Sequence, residues 1–361
     1  MNFSKLIRKR NILLVPFSWL YKASAFVFHK LYDWKLIGSY RPEVATICVG
    51  NLSVGGTGKS PMVEYLLRLL QDKTAVAVIS RGYRRKTKGF VVANESTTAA
   101  DIGDEPMQFH QKFPGVTIAV GEERAKAIEA LVKQKPQTDV IILDDAFQHR
   151  AVTPGFNILL TEYNNLFTKD GYLPAGSLRD LKSNYQRADH IVVTKCDPDL
   201  NDTRKEQIIK EIRPFPHQQV FFTTIAYGTP YQVFSGNPVG WEDIQSAVLV
   251  TGIANPQPLV DYLQLKSLEL HHLAYADHHH FSNEDIEKIL TAYSAIKQTN
   301  KIILTTEKDA VRLVNFKELQ HLPVVALPVQ HQFLFNEGNL FDQKVNDFLE
   351  PKLKMLLQED Q

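Results

Sequence analysis

A glycine-rich segment followed by lysine and serine is the stretch of this sequence with the clearest chemical meaning. It follows an apolar run at 47–49 and precedes a helix-patterned segment at 62–70, so it connects a strand to a helix. Glycines let backbone N–H groups converge on phosphate oxygens, and a helix start carries partial positive charge. The context predicts a nucleotide phosphate-binding loop formed by Ser53, Val54, Gly55, Gly56, Thr57, Gly58, Lys59 and Ser60.

Two side chains of this loop have specific expected tasks. Lys59 is expected to contact the β- and γ-phosphates, and Ser60 to offer its hydroxyl to Mg²⁺. The consensus G-x-x-x-x-G-K-[ST] has glycine where this chain has Ser53, so a plain glycine-rich turn is the alternative.

Pairs of neighbouring carboxylates occur at two further points. Asp144 and Asp145 end the apolar run 140–143, as in the strand that holds Mg²⁺ in P-loop enzymes. Asp104 and Glu105 open a helix-patterned segment, where they are either helix caps or a catalytic carboxylate beside a metal-side one. Capping is the alternative for both pairs.

Cations and histidines complete the candidate residues. Arg124 lies in the first turn of a helix, where a cation opposes the helix dipole, which favours a phosphate contact. Histidines at 271–272 and 278–280 invite a metal interpretation, but consecutive side chains point in different directions. One histidine acting with a carboxylate in proton transfer is the better interpretation.

Composition limits the class of protein. A length of 361 residues suggests two domains, and a net charge of +1 gives no overall nucleic-acid footprint. Cys48 and Cys196 lie in apolar runs and form no disulfide framework, which fits a reducing compartment. The strand–helix alternation starts afresh near residue 247. The predicted units are an amino-terminal helix (1–40), a P-loop domain (41–218), a β-strand linker (219–240) and a smaller α/β domain (241–361).

The amino-terminal segment combines basic and aromatic residues. Lys5, Arg8, Lys9 and Arg10 precede an apolar stretch that charges interrupt before it could span a bilayer. From Pro16 onward, apolar side chains fall on one helical stripe. We expect an amphipathic helix on the membrane surface, with a core helix and a secretory signal as alternatives.

Together these segments resemble the tetraacyldisaccharide 4'-kinase family, the lipid A 4'-kinases of Gram-negative bacteria. The likeness is nearly end to end. Its motifs are Pro16–Tyr21, Val49–Pro61, Ser80–Tyr83, Gly103–Pro106, Asp144–His149, Leu173–Gly176, Asp277–His279 and Thr305–Asp309.

The resemblance implies two α/β/α domains with a P-loop core, joined by a β-strand linker, with the active site between them. It implies transfer of the γ-phosphate of ATP, with Mg²⁺, to the 4'-hydroxyl of a tetraacyldisaccharide 1-phosphate, giving lipid IVA. The implied partners are this acylated disaccharide lipid and the cytoplasmic face of the inner membrane, bound peripherally or monotopically. Neither nucleic acid nor an obligate protein partner is implied.

The family motifs also imply roles for single residues. Asp104 and His278 resemble the catalytic dyad, and Lys59 with the loop amides would hold the phosphates. The Mg²⁺ ligands would be Ser60, Glu105, Asp144 and Gln148. Further active-site residues would be Asp145, His149 and Arg124. Independently of the family motifs, Arg81, Arg179 and Lys195 are candidates for contacting the substrate's own phosphate.

The chain departs from the family pattern at three positions, none of which removes a reacting group: Arg84, Ala146 and Ser60. Two other classes share parts of the pattern. A septum-positioning type of ATPase has a similar loop but a lysine where this chain has Val54. A GTPase is suggested by Thr194-Lys195-Cys196-Asp197, but the chain has no clear Asp-x-x-Gly switch.

Overall fold

The computed structural model describes residues 12–359, with side chains of the last helix described only to residue 351. The predicted basic cluster of Lys5, Arg8, Lys9 and Arg10 lies outside this range. The strands are β1 (Ala45–Asn51), β2 (Val76–Ser80), β3 (Val91–Val92), β4 (Thr117–Val120), β5 (Val140–Asp144), β6 (Phe156–Glu162), β7 (His190–Thr194), β8 (Gln219–Tyr227), β9 (Tyr231–Gln232), β10 (Ser246–Thr251), β11 (Glu269–Ala274), β12 (Lys301–Thr306), β13 (Val324–Leu327) and β14 (Val329–Phe333).

Helices alternate with these strands. The α-helices are α1 (Val15–Asp33), α2 (Lys59–Leu70), α3 (Ala99–Ile102), α4 (Asp104–Lys112), α5 (Arg124–Gln134), α6 (Asp202–Ile212), α7 (Gln257–Gln264), α8 (Asn283–Ala295), α9 (Glu307–Leu313) and α10 (Gly338–Glu359). Short 3₁₀ turns cover Ile12–Leu14, Lys182–Arg187, Trp241–Asp243 and Lys317–Leu319. The mixed α/β class predicted from the sequence is therefore present.

Nine strands form the large sheet, in the order β14-β8-β7-β6-β1-β5-β2-β4-β3. Its interior strands are parallel, and the edge strands β3 and β14 pair antiparallel. Every residue of β1 is buried, and alternate side chains enter different cores: Ile47 and Val49 on one face, Cys48 on the other. Burial on both faces explains why the strand is a continuous apolar run. We call this sheet and its helices the large lobe.

Five strands form the second sheet, in the order β11-β10-β12-β13-β9. It is parallel except for β9. It also has two cores, since Leu249 and Val250 of β10 belong to different clusters. We call this sheet and its helices the small lobe.

The chain passes from the large lobe to the small lobe and then returns. β8 pairs with both β7 and β14 in the large sheet, and Phe341, Val345 and Leu349 of α10 join a large-lobe core. The sequence-based boundaries instead assign 219–240 to a linker and 241–361 to the second domain, and they remain a prediction. The two descriptions differ because strand partners far apart in sequence leave no local pattern.

The first helix, α1, begins with Pro16 in its first turn, where a missing N–H costs little. Polar residues Ser18 and His29 are its buried side chains, whereas Trp19 and Leu20 are 70% and 71% exposed. In the part of the chain that the structure describes, no helix is both long enough and apolar enough to cross a bilayer.

Candidate active site

The predicted phosphate-binding loop lies between β1 and α2, at the carboxyl edge of the large sheet, where α/β folds place ligands. Gly55 and Gly58 adopt positive φ angles of 115° and 88°, which only glycine adopts without strain. Among the described residues, nothing lies within 4 Å of a Cβ atom built at Gly55 or Gly56. The loop is therefore an open cradle at the start of a three-turn helix.

Side chains behind the loop hold its backbone in place. The amide of Asn51 donates to Thr57 Oγ1 at 2.8 Å, and the hydroxyl of Thr194 donates to the Thr57 carbonyl at 2.9 Å. Both contacts are buried. They fix the loop before any ligand binds, which reduces the ordering cost of binding.

His331 on the return strand β14 is a third support, which no motif of the sequence indicates. Its Nε2 lies 2.8 Å from the Gly58 carbonyl, and its Nδ1 lies 2.9 Å from Thr223 Oγ1. The neutral tautomer that satisfies both contacts donates from Nε2 to Gly58 and accepts from Thr223 at Nδ1. Burial lowers the pKa of His331 to about 4, so the ring stays neutral.

The strand β5 brings Asp144 into the site, as its position after the apolar run predicts. Its Oδ2 accepts a hydrogen bond from Ser80 at 2.9 Å, while its buried Oδ1 has no partner among the described residues. Burial and the nearby carboxylates of Glu105 and Asp145 raise the pKa of Asp144 to about 7. A buried, unpartnered carboxylate oxygen such as Oδ1 of Asp144, close to other carboxylates, favours the binding of a cation.

Glu105 meets the phosphate loop directly. Its Oε1 accepts a hydrogen bond from Ser60 Oγ at 2.8 Å and also contacts Lys308 of the small lobe. The ammonium of Lys308 lowers the pKa of Glu105 to about 2. The hydroxyl of Ser60, the carboxylate of Glu105 and the unpartnered oxygen of Asp144 fit the oxygen ligands that Mg²⁺ prefers. Gln148, the fourth predicted ligand, donates its amide N–H to the Asn51 carbonyl at 2.5 Å.

Asp145 lies between two cations. Lys59 Nζ is 3.8 Å from its Oδ1, and Arg179 binds both oxygens, with Nη1 at 3.1 Å from Oδ2. Burial would raise the pKa of Asp145, but Lys59 and Arg179 outweigh it and lower the pKa. Arg179, a predicted candidate for a substrate phosphate, also donates to Asn51 Oδ1 at 2.6 Å.

Arg124 and His149 lie near the acids that end β5. Arg124 is buried and donates to the carbonyls of Gly121 and, at 3.3 Å, Asp144. It thereby supports the backbone that carries the acids. Burial, together with the neighbouring arginines Arg124 and Arg81, lowers the pKa of His149 to about 4.

The predicted dyad joins the two lobes. His278 Nδ1 lies 3.5 Å from Asp104 Oδ2, and the His278 backbone N–H donates to Gly252 at 2.9 Å. Arg312, which the sequence motifs did not reach, donates from Nε to the same Oδ2 at 3.0 Å. Burial would raise the pKa of Asp104, but its bonds with His278 and Arg312 lower it.

Lys195, the lysine of the GTPase-like motif, does not enter this cluster. It pairs with Glu162 at the end of β6, and both side chains are partly exposed. The structure thus brings together the phosphate loop, the two acid pairs and His278, and it leaves Lys195 outside.

Comparison with known proteins agrees with this geometry. The family model described as "Tetraacyldisaccharide-1-P 4'-kinase" matches residues 10–350. A tetraacyldisaccharide 4'-kinase of Bacteroides thetaiotaomicron is 43% identical over 92% of this chain and 91% of its own length. That of Flavobacterium johnsoniae is 41% identical over 96% and 99%.

A solved structure is also similar. The crystal structure of LpxK from Aquifex aeolicus, in complex with ATP, superposes with a TM-score of 0.73 at 27% identity. The superposition covers 93% of this chain and 98% of the LpxK chain. The resemblance predicted from the motifs is confirmed: the chain belongs to the tetraacyldisaccharide-1-phosphate 4'-kinase family.

Proposed function

We propose that this protein transfers the γ-phosphate of ATP to the 4'-hydroxyl of a tetraacyldisaccharide 1-phosphate, giving lipid IVA. One observation carries the proposal: His278 of the small lobe faces Asp104, and the next residue, Glu105, is bonded to Ser60 of the phosphate loop. Phosphoryl transfer needs a bound triphosphate beside an acceptor hydroxyl and a group that takes its proton. Asp104 would take the proton, and the neighbouring Glu105 contacts the loop that would hold the triphosphate.

In the proposed reaction, Lys59 and the loop N–H groups bind the triphosphate oxygens. The oxygen of the sugar hydroxyl bonds to the γ-phosphorus, and Asp104 accepts the proton of that hydroxyl. The bond between the γ-phosphorus and the oxygen bridging to the β-phosphate breaks, and ADP leaves. Its lowered pKa keeps Asp104 ionised and able to take the proton. His278 orients Asp104 from the opposite lobe, while Asp145 holds Lys59 within reach of the phosphates.

Mg²⁺ would be held by Ser60, Glu105 and Asp144, with Gln148 close by. When bound, it supplies neutralisation of charge on the phosphate oxygens. Lys308 and Ser60 contact the same oxygen of Glu105. The ammonium group of Lys308 therefore offsets the negative charge of this carboxylate.

The acceptor is an acylated lipid, and we infer that α1 lies on the cytoplasmic face of the inner membrane. Exposed aromatic and aliphatic side chains support this: Phe17, Trp19, Leu20, Phe26, Val27 and Trp34. An interfacial helix binds by burying such side chains at the headgroup boundary. ATP as phosphate donor favours the cytoplasmic side.

The polar side chains of α1 attach it to the large lobe. Ser18 Oγ donates to the Tyr172 carbonyl at 2.9 Å, and Tyr21 donates to the Arg179 carbonyl at 2.8 Å. His29 Nε2 lies 2.6 Å from Asp180 Oδ1, and both side chains are buried. Because polar contacts hold the helix, its apolar side chains remain available to lipid.

The decisive test is transfer of ³²P from γ-labelled ATP to a tetraacyldisaccharide 1-phosphate in detergent micelles. We expect a product labelled at the 4'-position, formed with ATP and not with GTP. Release of labelled phosphate alone, with or without the lipid, would indicate an ATPase and contradict the proposal.

A second measurement examines the base. Asp104→Ala should lower kcat by about 1,000-fold, in the range found for general bases, and leave the affinity for ATP nearly unchanged. Equal losses in turnover and nucleotide affinity would argue against Asp104 as the base.

A further inference from the structure

Helices α4 of the large lobe and α9 of the small lobe face each other through three ion pairs. These are Asp104–Arg312, Glu105–Lys308 and Lys112–Glu307. We propose that Arg312 is a positioning residue for the phosphoryl transfer: it holds Oδ2 of Asp104 and the loop that carries His278 with one guanidinium group. The proposal rests on the proposed function, in which Asp104 is the base.

Arg312 is itself held firmly. Its side chain is only 7% exposed, and its Nη1 donates to Asp309 Oδ1 at 3.2 Å. Asp309 is in turn fixed by the Gly252 N–H at 2.9 Å and by Thr306 Oγ1 at 2.7 Å. The guanidinium therefore has little freedom to follow Asp104 and instead sets where Asp104 lies.

The same guanidinium reaches both members of the dyad. Its Nε donates to Asp104 Oδ2 at 3.0 Å, and its Nη1 donates to the carbonyl of His279, next to His278, at 3.0 Å. His278 itself is further from Asp104, at 3.5 Å, and its backbone has a φ of 56°. A planar fork with several donors can make these bonds at once, whereas a lysine ammonium is a point charge without that geometry.

This arrangement has a chemical consequence. With Oδ2 occupied by Arg312, the other carboxylate oxygen, Oδ1, is left for the acceptor hydroxyl. A carboxylate that rotates freely would present either oxygen, and a displacement of about 1 Å at a reacting group can cost 100-fold in rate. Arg312 touches neither the acceptor nor ATP in this scheme, so it acts through Asp104.

The test compares purified full-length variants in the ³²P-transfer assay. We expect Arg312→Gln to lower kcat by about 100-fold with the KM for ATP within about twofold. Arg312→Lys, which keeps the charge without the fork, should retain an intermediate kcat. Guanidinium chloride at millimolar concentration should restore part of the kcat of Arg312→Ala and none of that of Asp104→Ala.

Lys112→Gln is the matched control, since it removes another ion pair of the same helix interface without touching Asp104. It should keep kcat within about twofold while lowering the melting temperature, because it leaves the buried carboxylates Glu64 and Glu307 without their shared cation. An equal loss of kcat in Lys112→Gln and Arg312→Gln, or a parallel rise in the KM for ATP, would overturn the proposal. Either result would mean that Arg312 only helps to pack the two lobes together. Far-UV circular dichroism and binding of a fluorescent ATP analogue identify any variant that fails to fold, in which case Arg312→Lys decides.

A double variant separates this proposal from the proposed function. If Arg312 acts through Asp104, Asp104→Asn combined with Arg312→Gln should be no slower than Asp104→Asn alone. Additive losses would overturn the positioning role while leaving Asp104 as the base. No transfer by the wild-type protein, or full activity of Asp104→Asn, would instead contradict the proposed function itself.

Discussion

Both lobes end a buried interior strand in a turn with glycine, but the two turns differ in what fills them. In the large lobe, a Cβ atom built at Gly55 or Gly56 meets nothing within 4 Å among the described residues. In the small lobe, a Cβ atom at Gly252 would meet Asp309 Oδ1 at 2.9 Å. Asp309 accepts the Gly252 N–H there, so a carboxylate of the chain occupies the place that an external anion would take.

The difference shows how one architecture serves two purposes. An open turn leaves backbone N–H groups to a ligand, and its residues should matter for activity more than for stability. A turn filled by the protein's own carboxylate satisfies those groups internally, and its residues should matter for stability first. The small lobe instead contacts the acids of the large lobe through three side chains, His278, Lys308 and Arg312.

The largest expected effect is in the open turn. Lys59→Met should lower kcat by about 1,000-fold, or about 4 kcal/mol, since it removes a charge aimed at the transferred phosphate. The melting temperature should change little. Lys73→Met, at an exposed lysine after the same helix, is the control and should keep full activity. If Lys59→Met unfolds the protein as readily as it inactivates it, the contrast between the lobes fails.

The support behind the open turn should respond to pH. His331 has a pKa of about 4 in the folded protein and about 6.5 when unfolded, so below pH 6.5 the unfolded state binds its proton more readily. Its contribution to stability is complete above pH 6.5 and is lost as the pH falls to 4, up to about 3 kcal/mol.

Denaturant unfolding of the wild-type protein and His331→Gln at pH 7 and pH 4.5 measures how much His331 contributes to the loss of stability at low pH. Glutamine can bond both Gly58 and Thr223, so the variant should fold and lose less stability than the wild-type protein between these pH values. An unchanged loss would mean that other groups, such as the buried His190 with a pKa of about 4, account for it.

The filled turn should show the opposite balance to Lys59. In Asp309→Asn, the amide oxygen can keep the bonds from Gly252 N–H and Thr306 Oγ1, which both go to Oδ2. The amide NH2 group then meets the donor Nη1 of Arg312, and the lost bond should cost about 2 kcal/mol in unfolding free energy. Binding of a fluorescent ATP analogue should be unchanged. Asp243→Asn, at an exposed small-lobe carboxylate, is the matched control and should leave the midpoint of unfolding in place.

The smallest effect concerns the membrane surface outside both turns. Trp19→Ser should weaken binding to anionic phospholipid vesicles by about 1 kcal/mol, or about fivefold, and leave the unfolding free energy unchanged. Trp241→Ser, in the small lobe, is the control and tests whether loss of a tryptophan elsewhere also weakens vesicle binding. Co-sedimentation with vesicles measures both, and equal weakening by the two variants would count against α1 as the membrane contact.

Local patterns made much of the site readable from the sequence. The phosphate loop, Asp144 and Glu105 follow strands or begin helices, so neighbouring residues disclose their place in the sheet. Arg312 lies one helical turn beyond Lys308, outside the motif 305–309, and His331 lies on a strand whose partner is distant in sequence. Their contacts depend on which lobes and strands meet, and no local pattern encodes that. Arg179 was readable as a cation but not as the partner of Asp145.

The return of β14 and α10 makes the large lobe discontinuous along the chain. During synthesis, the loop around Gly58 emerges from the ribosome early, but His331 and the α10 residues Phe341 and Val345 emerge only after the small lobe. The nascent large lobe therefore lacks one sheet edge and part of its core until the small lobe has been synthesised. Its last strand, β14, supplies His331, so the support behind Gly58 forms only after this strand has paired with β8.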